Sequence, residues 1–269
     1  MARPDEARYW RGVRDTWRAQ QFEELWRGFN DRLISRLVDR WLEGAPRETI
    51  LKTDLFEESC SDGLYGVLSR CGSRLVAMDL ASAIVLDAKR RHPLIETAVA
   101  DVRFIPFDDE TFDLIVSPST LDHFDDLDEM RRALAEMVRV LRPTGELMIT
   151  LDNLDNPVLR LRSWLPSRWL RALRLVPYHV GQSCGRRRLR QLLVEVGLEV
   201  REMTAVLHVP RLPAVVAART MTRSGPRARE RFMRWAGAFE RLEATPLRSF
   251  TGYFVAARAV KSQLDPRSM

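Results

Sequence analysis

One stretch, from Thr97 to Asp152, limits what this chain can fold into more than any other. Leu114-Ile115-Val116 is a short apolar run with β-branched members, bounded by Asp113 and by Ser117-Pro118, which suits a strand buried on both faces. Leu127, Met130, Leu134, Met137, Val138 and Leu141 then recur at helical spacing and place one apolar stripe on an otherwise charged helix. Pro143 and Gly145 read as the end of that helix, and Leu147 to Leu151 as a second buried strand. A strand, a crossover helix and a strand within this length form a βαβ unit, so the two strands lie parallel in one sheet.

The same alternation extends upstream. Thr49-Ile50-Leu51 and Arg74 to Met78 read as strands, Ala81 to Arg91 as a helix, and Ala98-Val99-Ala100 as a third short strand. Downstream, Arg187 to Val196 reads as a helix closed by Gly197, and Leu198 to Val209 and Gly252 to Val260 as the last strands. Pro213 to Met221 and Arg227 to Leu242 read as helices between those strands, a helical insertion over about 211–249. Asn153 to Val180 is irregular, with a short basic amphipathic helix expected around Arg160 to Arg174. The chain of 269 residues fits one decorated α/β domain, with a helical extension over residues 1–45 and the main domain over 46–269.

The extension is rich in tryptophan: Trp10, Trp17, Trp26 and Trp41 supply apolar area that must dock against something. Packing on the domain is one reading, and roofing a ligand site is the other. Gly44 and Pro46 close the segment. No run of about 18 apolar residues is present to span a membrane, and the opening MARPDEARYWRGVRD lacks the apolar core of a signal peptide. Cys60, Cys71 and Cys184 are odd in number and lack metal-ligand spacing. A cytoplasmic protein without a metal site is therefore expected.

The formal charge of +6 comes from 43 basic and 37 acidic residues, and only Lys52, Lys89 and Lys261 among the bases are lysine. Arginines cluster between Arg160 and Arg188. That region reads either as a solvated face or as a surface for peripheral contact with an anionic membrane. No appended RNA-binding module or aromatic-rich basic strand accompanies it, so nucleic acid ranks below a small-molecule partner.

In open α/β sheets, ligands sit outside the carboxyl ends of the strands. Here those ends carry Asp54, Asp79, Asp101 and Ser117 in turn. A carboxylate only accepts hydrogen bonds, so Asp79 suits the two hydroxyls of a ribose, and Asp101 suits the amino group of an adenine. Each acid alone could equally cap a helix.

Taken together, RLVAMDLASAIVLDAKRR, AVADVRFIPFDDETFDLIVS and LRPTGELMIT resemble successive motifs of the class I S-adenosylmethionine-dependent methyltransferases, in the branch acting on small molecules. The resemblance implies a Rossmann-like, doubly wound, mostly parallel seven-stranded sheet with an antiparallel last strand. It implies S-adenosylmethionine as cofactor and S-adenosylhomocysteine as product. Thr53, Asp54, Asp79, Leu80, Asp101, Val102 and Ser117 are the residues expected at the cofactor. Asp79 would take the ribose, Asp101 with the Val102 backbone the adenine, and Ser117 the methionine portion.

The chain departs from the family at its first motif, where a glycine-rich loop lets backbone approach the cofactor. The sequence there is ILKTDLFEESCSDGLYG, with Asp54, Phe56 and Glu58 at the glycine positions. Those side chains either clash with the cofactor or make new contacts, with Asp54 or Glu57 accepting from its amino group. Methyl transfer needs in-line positioning above all, and a base only when the acceptor loses a proton. His123 in STLDHFDD is the candidate base, its alternative role being to satisfy a loop carbonyl or Asp122. Tyr178 and His179 form a second polar cluster. The expected function is methyl transfer to a small-molecule or amphipathic acceptor at O, N or C. The competing readings are an inactive scaffold retaining the fold and, below it, an RNA methyltransferase. A nicotinamide dehydrogenase would need a G-x-G-x-x-G after the first strand, which the chain lacks.

Overall fold

The computed structural model describes residues 4–19, 24–42, 47–165, 181–222 and 224–262. Seven strands form a single sheet: β1 (Arg47–Lys52), β2 (Gly72–Asp79), β3 (Glu96–Val99), β4 (Phe112–Pro118), β5 (Leu141–Asp152), β6 (Leu198–Val206) and β7 (Phe254–Lys261). Their order is β3-β2-β1-β4-β5-β7-β6, and β7 runs antiparallel to both of its neighbours. Order reverses between β1 and β4, which pair in parallel through Ile50–Leu114 and Lys52–Val116. The ends of these two strands therefore open onto the crevice where ligands bind such sheets.

The central strands are buried on both faces because helices cover both. Ile50, Leu51, Leu114, Ile115, Leu147 and Ile149 have no exposed surface. On one side, α6 (Leu127–Val140) presents Met130, Leu134 and Met137 to β4 and β5. Its start is fixed by Asp126, whose side chain accepts from the Glu129 amide at 2.7 Å. On the other side, α5 (Ser82–Arg91) inserts Ile84, Val85 and Ala88 into a second core.

The N-terminal extension forms α1 (Pro4–Ala19) and α2 (Glu24–Leu42). Trp41 is buried in the sheet core. Trp26 packs with Phe29 against Leu159, Leu207 and Phe232, a third apolar cluster shared with the helical insertion. The side chain of Trp17 lies outside the described residues, as do Gly44 and Pro46. After β1 come α3 (Phe56–Cys60) and α4 (Tyr65–Cys71). Beyond β5 lie α7 (Pro157–Ser163) and α8 (Arg186–Glu195). The insertion before β7 comprises α9 (Arg211–Thr222), α10 (Pro226–Ala238), a 3-10 segment (Phe239–Ala244) and α11 (Arg248–Thr251).

Among the boundaries that differ from the sequence expectation, four have a clear physical cause. β5 begins at Leu141, directly from α6, because Leu141 pairs with Phe112 ahead of a register shift, so Pro143 and Gly145 lie inside the strand. β3 is displaced to Glu96–Val99, an edge strand whose half-exposed side chains carry little apolar signal. β6 ends at Val206 because Leu207 turns the chain with φ +64°. The basic helix expected from Arg160 begins at Pro157, with Asn156 capping it by accepting from the Val158 amide, and its expected continuation to Arg174 lies outside the described residues.

Candidate functional site

At the carboxyl ends of β1, β2 and β4 lies a cavity of about 740 Å³, within the size range of small-molecule sites. Helix α1 roofs it with Tyr9 and Trp10, and α2 closes a side with Trp26 and Asn30. Trp10 bridges the rim, its ring centroid 6.3 Å from that of Phe56 and 4.5 Å from that of His123. Part of the tryptophan-rich extension is thus built into the cavity wall, and part into the core.

Asp79 sits at the end of β2, only 9% exposed. Its Oδ1 accepts from the Ala81 amide at 2.8 Å, and its Oδ2 from the Leu55 amide at 3.1 Å. Each oxygen thus retains a lone pair, which is the complement of two vicinal hydroxyls. Burial raises the Asp79 carboxyl to about 7, with the two backbone amides pulling the other way. Two incoming hydroxyl donors act in the same direction as those amides and favour the charged form. Leu80 lines the cavity beside it.

Asp101 faces the same cavity with Val102. Its carboxylate is already held by Arg103, through Nε at 2.9 Å on Oδ1 and Nη2 at 2.7 Å on Oδ2. The Arg103 amide adds a bond to Oδ1 at 2.9 Å and Nε a second to Oδ2 at 3.1 Å. Each oxygen thus already takes two of these bonds, with Nε shared between them, and little acceptor capacity remains for a further donor. Arg103 also reaches Glu129 on α6 at 2.6 Å and Glu6 on α1 at 2.9 Å, and it stacks 5.0 Å from the Phe124 ring. This one guanidinium ties α1 and α6 to Asp101 at the end of β3.

The altered first motif is filled by an ion-paired core. Lys52, 2% exposed, donates to Glu58 Oε2 at 2.8 Å and to Asp54 Oδ2 at 3.1 Å. Glu58 is fully buried and its Oε1 accepts from the Leu64 amide at 2.8 Å. The charges of Asp54 and Glu58 outweigh burial and raise the Lys52 ammonium further above its ordinary value. Gly63 is needed here: its φ is +49°, and a Cβ on it would meet Glu58 Oε1 at 2.5 Å. Ion pairs and hydrogen bonds among side chains thus fill this turn, while the Leu55 amide reaches Asp79.

Thr53 and Ser117 pack together at the switch point, Thr53 Oγ1 donating to Ser117 Oγ at 2.9 Å and approaching Thr120 Oγ1 at 3.0 Å. Thr53 lines the cavity, as do Asp54 and Thr120. Ser117 has no exposed surface and lies beneath that layer. Its contribution to the floor passes through Thr53.

His123 ends a 3-10 turn (Leu121–His123) and lines the cavity next to Asp122. Its Nε2 is 4.0 Å from Asp122 Oδ1. Asp122 is 3% exposed, and its Oδ2 accepts from the Asp152 amide at 3.0 Å. Burial first, and the Asp152 carboxylate second, push Asp122 up to about 8. Asp152 in turn accepts from Arg162 Nη2, whose Nη1 donates to Tyr253 Oη at 2.7 Å. This end of the cavity therefore brings an imidazole beside a buried carboxyl that is raised well above the usual carboxylate range. Tyr178 and His179 lie outside the described residues.

Lys52, Arg103 and Asp122 carry the geometry and were not singled out by sequence as site residues. Arg103 left a signal in its position two residues after Asp101, and Asp122 in its place beside His123.

A methyltransferase-domain family model matches residues 59–149. A Mycobacterium tuberculosis protein, "Probable S-adenosylmethionine-dependent methyltransferase", is 28% identical over 62% of this chain and 56% of its own length. The demethylmenaquinone methyltransferase of Streptomyces avermitilis is 29% identical over 44% of this chain and 48% of its own. The chain thus spans about half the length of the curated relatives it matches. Among solved structures, the N-methyltransferase NodS from Bradyrhizobium japonicum, in complex with S-adenosylhomocysteine, superposes with a TM-score of 0.52. It is 18% identical and covers 84% of each chain, a likeness of fold.

Proposed function

We propose, from the premise that this chain carries a class I S-adenosylmethionine-dependent methyltransferase domain, that it transfers a methyl group to a small-molecule acceptor. The observation that carries this reading is Asp79: a strand-end carboxylate with one lone pair on each oxygen, in a cavity shared with Asp101. The residues present fit S-adenosylmethionine. Asp79 takes the ribose hydroxyls, Asp101 and the Val102 edge take the adenine, and Thr53 with Asp54 flanks the passage between β1 and β4.

Bound there, the cofactor supplies an electrophilic methyl on a sulfonium and leaves as S-adenosylhomocysteine. The chain's own contribution is positioning and exclusion of water, which Trp10 and Tyr9 provide from above. His123 Nε2 accepts the proton where the acceptor is a hydroxyl or amine. Burial and the Asp152 carboxylate raise the Asp122 carboxyl, which lessens the negative charge beside it.

The relative acting on demethylmenaquinone supports a lipophilic acceptor. Helix α7 supports one taken from an anionic membrane surface, since it exposes Val158 and Leu161, with Trp164 just beyond its end, alongside Arg160. Among the described residues no helix is long and apolar enough to cross a membrane. The same reading divides the chain into a helical cap through residue 45 and a catalytic domain from residue 46, and places it in the cytoplasm, which its free cysteines support.

Turnover of methyl-labelled S-adenosylmethionine against a panel of quinols, phenols, amines and carboxylic acids tests the reading. Label should pass to at least one class of acceptor, and Asp79→Ala should abolish the transfer. Equal turnover by Asp79→Ala would overturn the assignment of this cavity as the cofactor site.

A further inference from the structure

Beyond the nucleoside end, the cavity runs along the strand ends as far as β7. From Asp79 at the end of β2 to Tyr253 just ahead of β7 there are four strand steps, roughly 19 Å at about 4.8 Å each. Tyr253 is fixed by backbone on both sides. Its amide donates to the Val206 and Leu207 carbonyls at 2.9 and 3.0 Å, and its carbonyl accepts from the Asn153 amide at 2.8 Å. Two guanidiniums meet on its hydroxyl oxygen: Arg162 Nη1 donates at 2.7 Å, and Arg211 Nη1 donates as well. Both also lie over the ring, 5.8 Å and 5.0 Å from its centroid.

The cations of the cavity wall are not equivalent. Lys52 is paired with Asp54 and Glu58, and Arg103 with Asp101, Glu129 and Glu6. Arg211 is bonded to a phenol. Of the acids at this end, Asp152 serves Arg162, and burial with the Asp152 charge raises the Asp122 carboxyl. Asp125 stands exposed to water, which screens its charge. These acids therefore weigh little against a second guanidinium. Helix α9 begins at Arg211, and the positive end of its dipole adds to the same sign.

Both groups keep surface on the cavity, Arg211 half-buried and Tyr253 8% exposed. The two guanidiniums take the lone pairs of the Tyr253 hydroxyl, so toward a ligand it acts as a donor. Arg211 brings a planar fork of donors that matches the oxygens of a carboxylate or a phosphate. Trp26, Ile34, Leu207 and Phe254 line the same cavity and supply apolar wall.

We propose that Arg211 and Tyr253 bind an oxyanion of the methyl acceptor, so that the acceptor is an organic acid, a carboxylate or a phosphate, with an apolar body. Arg162 acts through Tyr253: it positions the phenol and balances the charge of Asp152. The inference rests on the methyltransferase reading and narrows its acceptor.

Calorimetric titration with octanoate, octyl phosphate and octan-1-ol, each at saturating S-adenosylhomocysteine, separates the acid head from the apolar body. At least one of the two acids should bind about tenfold more tightly than the alcohol, as a charge-assisted bond predicts, and the tighter of the two identifies the head group. Arg211→Met should reduce that preference about tenfold, and Tyr253→Phe, which keeps the ring, about threefold. Affinity for S-adenosylhomocysteine within about twofold of the parent reports that each variant is folded and confines the change to the acceptor end. Equal affinity for alcohol and acids in the parent, no binding of either acid at millimolar concentration, or an unchanged preference in either variant overturns the inference alone. Failure of the parent to bind S-adenosylhomocysteine overturns the methyltransferase reading instead.

Discussion

Glu58→Ala tests whether the rebuilt first motif is held by its buried ion pair. Glu58 makes two charge-assisted bonds, from Lys52 Nζ at 2.8 Å and from the Leu64 amide at 2.8 Å, and has no exposed surface. Hydrogen bonds to charged groups contribute about 1.5–3 kcal/mol each, and removing one partner of a buried pair costs about 3–5 kcal/mol. Lys52 would keep Asp54, whose side chain is 21% exposed, so the lower half of that range applies, about 3–4 kcal/mol. At roughly 2–4 °C per kcal/mol for a domain near this size, the midpoint of thermal unfolding should fall by about 6–16 °C. Glu58→Gln keeps an acceptor for Leu64 and should fall by about half as much. Replacing both members, Lys52→Met with Glu58→Met, should recover much of the loss because no unpaired charge stays buried. Calorimetric melting of the parent, Lys52→Met, Glu58→Met and the double variant, read as a double-mutant cycle, gives the coupling. A loss below about 1 kcal/mol for Glu58→Ala would refute the view that this pair replaces the glycine loop as the organiser of the turn.

The remaining expectations concern charge, backbone and pH. Asp122 has its folded-state carboxyl raised to about 8 against an ordinary value near 3.8. The folded state therefore binds a proton that the unfolded state releases, and the associated stability is lost as pH rises from about 4 to about 8. Asp122→Asn should accordingly gain thermal stability relative to the parent at pH 8.5 and little at pH 5; equal gains at both would contradict this. Arg103→Ala should release α1 from the roof by removing its link to Glu6, seen as faster amide exchange in residues 6–16 and weaker nucleoside binding; unchanged exchange there would contradict it. Gly63→Ala should cost at least 1–2 kcal/mol, about the strain of a left-handed residue, since its φ is +49° and its Cβ would press on Glu58; denaturant unfolding measures it, and a neutral result would refute that constraint.

Much of the fold was legible because its strands are buried on both faces. Leu114 to Val116 and Leu147 to Leu151 are continuous apolar runs, and no other placement hides them. The edge strand β3 was misplaced for the opposite reason: its Glu96 and Val99 are exposed and leave no run to detect. The start of β5 was hidden because Arg142-Pro143-Thr144-Gly145 has the composition of a turn, whereas pairing to Phe112 sets the strand boundary. At the site, Asp79 and Asp101 were legible from their position after strands. What they bond to was not, since Arg103 meets Glu6, 97 residues away in sequence, and Asp31 meets Ser61 from a different helix. The resemblance implied glycines at the first motif where this chain carries Asp54, Phe56 and Glu58. Only the packing of Lys52 between Asp54 and Glu58 shows that the replacements answer one another.

The central claim is that this rebuilt turn still serves a nucleoside cofactor through Asp79. Titration of the parent and of Asp79→Ala with S-adenosylhomocysteine at pH 8 tests it most directly. Saturable binding is expected in the parent, with a loss of about 100-fold in the variant, the equivalent of about 3 kcal/mol for the two hydroxyl contacts. Absence of binding to the parent at millimolar ligand, or equal affinity in the two proteins, would contradict it.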